Sequence, residues 1–106
     1  MVQIACIYSA EEIAALMSMP IISVFFGIVI RINFDDHNPP HLHAEYGDRE
    51  AIFDLRSGEA LAGKIPRAAT RRVKQWILLN QAALAENWDR AYNMKPTLKI
   101  PGLDQE

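Results

Sequence analysis

The chain carries three histidines close together, at positions 37, 41 and 43. Imidazole side chains exchange protons near neutral pH and bind transition metals, so this cluster is a candidate for catalysis or metal binding. His41 and His43 are two residues apart, and on a β-strand they would project from the same face about 7 Å apart. Both rings could therefore contact one metal ion or one substrate.

Carboxylates lie next to the histidines in the sequence. Glu45 follows His43 on the same predicted strand face, and Asp35 opens the turn that precedes this strand. Two imidazoles and one carboxylate form a common ligand set for transition metals, so a divalent transition metal is one hypothesis for a cofactor. The candidate metal ligands are His37, His41, His43, Asp35 and Glu45.

Two other interpretations use the same residues. In a catalytic site without a metal, the candidates are His43, His41 and Asp54, with Asp54 orienting His43 as a general base. In a purely structural arrangement, Arg31 would pair with Glu45 and the histidines would only form hydrogen bonds. The sequence leaves these interpretations open because a histidine pair alone is a weak motif.

The strands that position these residues are predicted from alternating apolar side chains. The segment DDHNPP, residues 35–40, predicts a turn because proline lacks an amide donor, and Gly47-Asp48 predicts a second turn. The predicted strands are residues 21–34, 41–46 and 51–55. Together they predict a three-stranded antiparallel meander with one apolar face.

The pairing of these strands is predicted by matching their apolar positions. In that register His43 lies between Asn33 and Asp54, and Arg31 faces Glu45. The outer face of the sheet would then carry one polar patch, made of Arg31, Asn33, Asp35, His41, His43, Glu45, Asp54 and Arg56.

One long helix over residues 66–88 is predicted to cover the apolar face of the sheet. Pro66 suits a first helical position, and apolar side chains recur on one side of this segment with helical spacing. The predicted buried residues are Ala69, Val73, Trp76, Ile77, Asn80, Ala83 and Leu84. Trp76 should pack against sheet residues drawn from Phe26, Ile30, Phe53 and Leu55. The predicted fold class is therefore α+β, with one long helix packed on the meander.

The two ends of the chain add smaller elements. Residues 1–18 predict either a short strand followed by a helix, which Ser9 and Glu12 would cap, or an N-terminal extension that precedes a natural start at Met17 or Met19. Residues 97–100 alternate and predict a C-terminal edge strand. The predicted organisation is an N-terminal extension over residues 1–18 and a single domain over residues 19–106, a length that suits one core.

A basic cluster lies at the start of the predicted helix. Cations at a helix N-terminus oppose the helix dipole, so the stability of the helix does not explain them. Phosphate groups or an acidic protein would explain them, as would pairing with the acidic strands of the chain itself. No aromatic residue is interleaved with these bases, so stacking of single-stranded bases is not predicted. The predicted binding residues are Lys64, Arg67, Arg71, Arg72 and Lys74.

The composition excludes several classes of protein. With 50% hydrophobic residues and a net charge of −2, the chain is neither disordered nor a strongly basic nucleic-acid-coating protein. Cys6 is the only cysteine, so intrachain disulfides and zinc fingers with several thiolates are excluded. The longest apolar run, residues 21–30, is about half of the ~20 residues of a membrane-spanning helix. No basic residue precedes Arg31, so no signal peptide is predicted and we expect a cytoplasmic protein without membrane contact.

The segment FDDHNPPHLHAEY, residues 34–46, resembles the bacterial domain of unknown function 4160 family. The resemblance covers about residues 19–90 and includes Met19-Pro20, Ile22-Ser23, Phe26-Gly27, Ile65-Pro66, Arg67, Arg72, Val73, Trp76 and Glu86-Asn87-Trp88. It implies a small stand-alone protein encoded beside another small domain, as in toxin–antitoxin pairs, and it implies no reaction. Similar proteins usually begin at the Met-Pro that is Met19-Pro20 here.

Two functions are therefore predicted from different classes. The first is a binding or regulatory module, in the manner of a toxin–antitoxin component, whose basic residues contact nucleic acid or a protein partner. Leu78, exposed on the same side of the helix, indicates a homodimer or partner contact. The alternative is a small metal-dependent or histidine-based hydrolase, for instance a ribonuclease, with His41 and His43 in its site. Whether the protein is an enzyme stays undecided at this stage.

Overall fold

The computed structural model describes residues 20–32 and 39–105. Its strands form one antiparallel sheet in chain order, namely β1 (Ile21–Phe25), β2 (Ile28–Arg31), β3 (His41–Tyr46), β4 (Arg49–Asp54) and β5 (Ala60–Gly63). Two helices follow in this part of the chain, α1 (Arg67–Leu79) and α2 (Gln81–Tyr92). The predicted α+β class is confirmed. The described residues contain five strands and two helices, however, where three strands and one long helix were expected.

The long strand predicted over residues 21–34 is divided by a tight turn at Phe26 and Gly27. Both residues have positive φ, 52° and 76°, as the type I′ turn of a two-residue hairpin requires. Glycine adopts this conformation readily, whereas a phenylalanine in it is unusual. The prediction was therefore wrong here. Phe25 is buried in the core, and Phe26, predicted to be buried, is exposed.

The strand register differs from the prediction by two residues in both hairpins around β3. His43 pairs with Arg31 on one side and with Ile52 on the other, whereas Asn33 and Asp54 were expected as its neighbours. The difference of two residues preserves the alternation of faces. The side chains of β3 therefore point to the predicted faces although their cross-strand neighbours are different.

The turn between β3 and β4 explains the error in the second hairpin. Gly47 and Asp48 alone form the loop, so Tyr46 pairs directly with Arg49. A two-residue loop fixes the register of the whole hairpin. The predicted pairing would have needed a loop longer by two residues.

The predicted helix over residues 66–88 is interrupted at Asn80. The side-chain amide of Asn80 donates a hydrogen bond to the carbonyl of Trp76 at 2.8 Å, and its own backbone φ of −125° is not helical. Gln81 donates from its side-chain amide to the carbonyls of Ile77 and Leu55. These side chains replace backbone partners at the end of α1, and α2 begins at the residue after Asn80.

Trp76 anchors α1 to the sheet. It is fully buried, its ring lies 5.2 Å from that of Phe25 between centroids, and its indole N–H donates to the carbonyl of Pro101 at 2.9 Å. Its predicted burial is confirmed, with Phe25 in the place expected for Phe26. Of the predicted helix residues, Asn80 and Ala83 are half-buried, while those in the core are Ala69, Val73, Trp76, Ile77 and Leu84.

The two edges of the sheet differ. The C-terminal tail covers β1, where the amide of Ile100 donates to the carbonyl of Ile22 at 2.7 Å. Residues 97–100 form no strand in this described segment, so the predicted C-terminal edge strand is wrong. At the other edge, all four residues of β5 are exposed. Gly63 has a φ of 73° and lies so close to the carbonyl of Glu50 that no Cβ would fit.

The N-terminal predictions fall on residues 1–18, which lie outside the described residues. The division of the chain after residue 18 therefore stays a prediction. Within residues 20–32 and 39–105, neither helix has the length and apolar character needed to cross a membrane.

Candidate functional site

His41 and His43 project from the sheet face opposite the core. Their ring centroids lie 5.4 Å apart, and the ring of Trp88 on α2 lies 5.5 Å from His41. Alternation along β3 brings the two histidines together, as predicted, because Leu42 and Ala44 point into the core between and beside them. We call the polar side chains on this side of the sheet the histidine face, which comprises Arg31, His41, His43, Glu45, Glu50 and Asp54.

Each described histidine is oriented by a hydrogen bond at Nδ1. Nδ1 of His41 lies 2.8 Å from the carbonyl oxygen of Pro39, and Nδ1 of His43 lies 3.0 Å from Oε2 of Glu50. Because these oxygens accept, Nδ1 is the donor in both rings, and in a neutral ring the lone pair is then on Nε2. Such an arrangement is typical of histidines that act as bases or metal ligands.

Glu50 was not among the predicted site residues, and it takes the orienting position assigned to Asp54. The carboxylate of Asp54 instead accepts hydrogen bonds from the amides of Arg56 at 2.7 Å and Ser57 at 3.1 Å. Partial burial alone would raise the pKa of Asp54, but those amides and the Arg56 guanidinium outweigh it and hold the pKa below its ordinary value. The correct register would have identified Glu50, since it then lies diagonally across from His43.

Glu45 is engaged by a cation. Nε of Arg31 lies 3.1 Å from Oε2 of Glu45, which agrees with the structural interpretation of this pair. Within the described part of the chain, no three histidine, cysteine, aspartate or glutamate side chains are grouped as metal ligands would be. The other two candidates, Asp35 and His37, lie outside the described residues, so the metal hypothesis stays a prediction.

A small cavity opens beside the histidine face. Its volume is about 170 Å³, and Trp88 connects it to His41 through the ring contact given above. The side chain of Gln81 in its wall is held by two backbone carbonyls. The lining residues are Pro40, Leu55, Arg56, Gln81, Ala85 and Trp88.

The predicted binding residues lie together on and just before α1. We call Lys64, Arg67, Arg71, Arg72 and Lys74 the basic face, and all five are exposed. Two of them have partners in the protein. The ammonium group of Lys74 forms an ion pair with Glu59, and the guanidinium carbon of Arg72 lies 4.1 Å from the ring centroid of Phe26.

The other three bases of this face are differently placed. In the described segments, the side chains of Lys64, Arg67 and Arg71 form no hydrogen bond or ion pair within the protein. The first turn of α1 contains no acidic residue, and its N-cap Pro66 supplies no side-chain acceptor. The start of α1 is therefore a concentration of positive charge with backbone amides that the helix itself does not use.

Residues 27–89 match a family model described as Domain of unknown function (DUF4160). The match spans more than half of the 106 residues, so the chain belongs to this family. It covers β2 to β5, α1 and most of α2, and hence both the histidine face and the basic face. No curated protein and no solved structure matches the chain significantly.

Proposed function

We propose that this protein is a binding module whose basic face takes the phosphate groups of a nucleic acid. The observation that carries the proposal is the contrast within that face. Lys74 pairs with a carboxylate of the same chain, whereas Lys64, Arg67 and Arg71 are exposed and form no such pair with any described residue. Pairing with the acidic strands of the protein therefore accounts for one of these cations and not for the other three.

The position of these cations supports an anionic ligand. A positive side chain in the first turn of a helix costs roughly 0.3 to 1 kcal/mol of stability because it opposes the helix dipole. A bound phosphate would reverse this effect and accept hydrogen bonds from the free amides at the start of α1. Arginine adds planar donors that bind phosphate oxygens in pairs. Arg67 and Arg71, one helical turn apart, would contact neighbouring phosphates.

A regulatory role fits this chemistry. We further propose a cytoplasmic bacterial protein that works beside a partner, in the manner of a toxin–antitoxin component, as the family resemblance implies. The competing occupant of the basic face is an acidic protein, and the competing use of Leu78 on the same side of α1 is contact with a second copy of this chain. Leu78 is 51% exposed, which leaves it accessible to either.

Salt-dependent binding tests the proposal. Affinity for a labelled oligonucleotide should fall as salt rises, and the double variant Arg67→Gln/Arg71→Gln should flatten that dependence by about two phosphate contacts. Lys95→Gln/Lys99→Gln removes the same charge from exposed positions that lie outside the basic face and should leave the dependence unchanged. Fluorescence anisotropy at several salt concentrations provides the measurement.

Two results would overturn the assignment to nucleic acid. The first is no binding at low salt, and the second is an equal effect of the two double variants. If the protein instead forms a salt-sensitive complex with the product of the neighbouring gene, and Arg67→Gln/Arg71→Gln weakens it, the basic face belongs to an acidic protein.

A histidine-based hydrolase is the second candidate, and the Nδ1 to Glu50 contact of His43 at 3.0 Å favours it. The hydrogen bond orients the imidazole, and in a neutral ring Nε2 could accept a proton. The neighbouring ring of His41 contacts Trp88, which lines a cavity that could hold part of a substrate. Cleavage of RNA in the same mixtures, with and without Zn²⁺ or Mn²⁺, would support this function if His43→Ala abolished it. RNA that stays intact throughout would leave the histidine face as a polar contact surface.

A further inference from the structure

Phe26 brings an aromatic ring to the basic face. Its residue is 44% exposed, and the guanidinium carbon of Arg72 lies 4.1 Å from the ring centroid. The packing of α1 on the sheet produces this contact, since Trp76 lies on Phe25 and Arg72 lies one helical turn earlier over Phe26. An aromatic ring therefore contacts Arg72 of the basic face in space although the sequence separates the two widely, so the lack of an interleaved aromatic in the sequence does not exclude stacking.

The stability of the turn does not explain a phenylalanine at this position. Phe26 has a φ of 52°, which costs strain in a bulky side chain, and asparagine or glycine is the usual residue there. The core gains little from its ring, because Phe25 fills the adjacent buried site. The strained conformation is held by a hydrogen bond from the Phe26 amide to Oδ2 of Asp104 at 3.1 Å. Strain of this kind, at an exposed residue, points to a functional use of the side chain.

A second exposed ring lies beside the turn. Tyr46 is 40% exposed, and its ring lies within van der Waals distance of the position that a side chain on Gly27 would occupy. Tyr46 also pairs with Ile28 across the sheet, so β3 holds it at the start of β2. The turn at Phe26 and Gly27 thus lies close both to a second aromatic ring and to an arginine.

We propose that the basic face recognises single-stranded nucleic acid, with an unpaired base stacking on Phe26 while Arg67 and Arg71 bind its phosphates. This inference rests on the proposed function and names its substrate class. Exposed aromatic rings beside basic residues stack the bases of single strands, and a guanidinium plane extends such a stack. In a duplex the bases are already stacked on one another and cannot reach the ring, so phosphate contacts alone would remain.

The test compares three oligonucleotides of the same length, two with bases and one without. Labelled oligouridine and oligothymidine have bases to stack, whereas an abasic oligonucleotide of the same length has only the phosphate chain. The protein should bind the two ligands with bases about 5- to 100-fold more tightly than the abasic one. Similar values for the RNA and the DNA ligand would indicate recognition of the base alone, and a preference for RNA would indicate an additional contact to the 2′-hydroxyl.

Substitution of Phe26 provides the second part of the test. Phe26→Asn should remove the preference for ligands with bases and leave the salt dependence unchanged, and its melting temperature should equal or exceed that of the wild type because asparagine relieves the strain. Phe26→Trp should keep the preference. Tyr92→Asn, which removes an exposed ring at the end of α2, should also keep it.

The outcomes separate this inference from the proposed function. If the abasic ligand binds as tightly as oligouridine, or if Phe26→Asn keeps the preference, the stacking proposal is wrong and the phosphate function stands. If none of the ligands binds, the proposed function itself is wrong. The comparison of ligands on the wild-type protein needs no variant, so it decides the proposal even where Phe26→Asn fails to fold.

Discussion

On the histidine face, Arg31 contacts Glu45 and His43 contacts Glu50, whereas on the basic face Arg67 and Arg71 contact no charged partner in the described part of the chain. Cross-strand pairing explains the difference. Each strand of the sheet has a neighbour that can carry the opposite charge, while in the described part of the chain no acidic side chain pairs with Arg67 or Arg71 on α1. The histidine face, whose side chains could carry out more kinds of chemistry, is thus the region whose polar groups have more partners within the protein. The basic face has more charged groups left to bind a ligand.

We expect the largest effect from a substitution that disrupts the packing of α1 on the sheet, on which both regions depend. Trp76→Ala should lower the free energy of unfolding by about 3 to 5 kcal/mol, because a large aromatic side chain leaves a cavity between α1 and the sheet. Chemical denaturation measures the loss. Trp88→Ala serves as the matched control and should cost less, since Trp88 is only half-buried. An unchanged midpoint for Trp76→Ala would contradict the assignment of the two faces of α1.

The faces of the elements were predictable from the sequence, and the details that depend on turns were not. Alternation placed His41, His43 and Glu45 on one side of β3, and helical spacing identified Trp76 and Ile77 as core residues. Both patterns depend only on side-chain polarity, which is known directly from the residue types. The fold class followed from them.

Three features depend on local conformation that polarity does not encode. Phe26 gives no sign of a positive φ, so the hairpin between β1 and β2 was not recognised. Asn80 ends α1 through its side chain in a segment whose apolar spacing continues. Strand β5 is four residues long and fully exposed, so it has no apolar pattern. The proximity of Arg72 to Phe26 then follows from tertiary packing, which no local pattern predicts.

A change of pH tests how much a hydrogen-bonded carboxylate of the histidine face, Asp54, contributes to stability. The folded protein holds the pKa of Asp54 below its ordinary value of 3.8, so the ionised carboxylate stabilises the fold. This stabilisation is complete above the pKa of the unfolded chain and is lost as the pH falls through the lower pKa of the folded state. Asp54→Asn should therefore be less stable than the wild type at neutral pH, and the difference should shrink in acid.

Thermal unfolding between neutral and strongly acidic pH provides that measurement. Asp48→Asn, in the exposed turn between β3 and β4, controls for the loss of one carboxylate. A difference between wild type and Asp54→Asn that grows in acid would contradict the role given to the Arg56 and Ser57 amides.

The smallest expected effects have opposite signs in the two regions. Replacing Arg31 and Glu45 singly and together should give a favourable coupling of about 0.2 to 1 kcal/mol, as for other partly exposed ion pairs. Arg67→Gln should instead raise the stability by about 0.3 kcal/mol, because it removes a cation from the first turn of α1. Denaturation at low salt measures both. Destabilisation by Arg67→Gln would show that this arginine has a partner within the protein. The contrast between the paired histidine face and the unpaired cations of the basic face would then be wrong.

The hydrogen bond from the amide of Ile100 to the carbonyl of Ile22 places the C-terminal tail beside the first strand. The described unit thus begins and ends at the same edge of the sheet, and β5 lies at the opposite edge. Because these two ends of the described unit are close, the unit is suited to circular permutation, with a short linker from the tail to β1 and new ends opened in the exposed turn at Gly47 and Asp48. Every strand pairing would be preserved, and only the covalent link in that turn would be broken. A fusion partner joined near the tail would likewise be attached at the edge of the sheet farthest from β5.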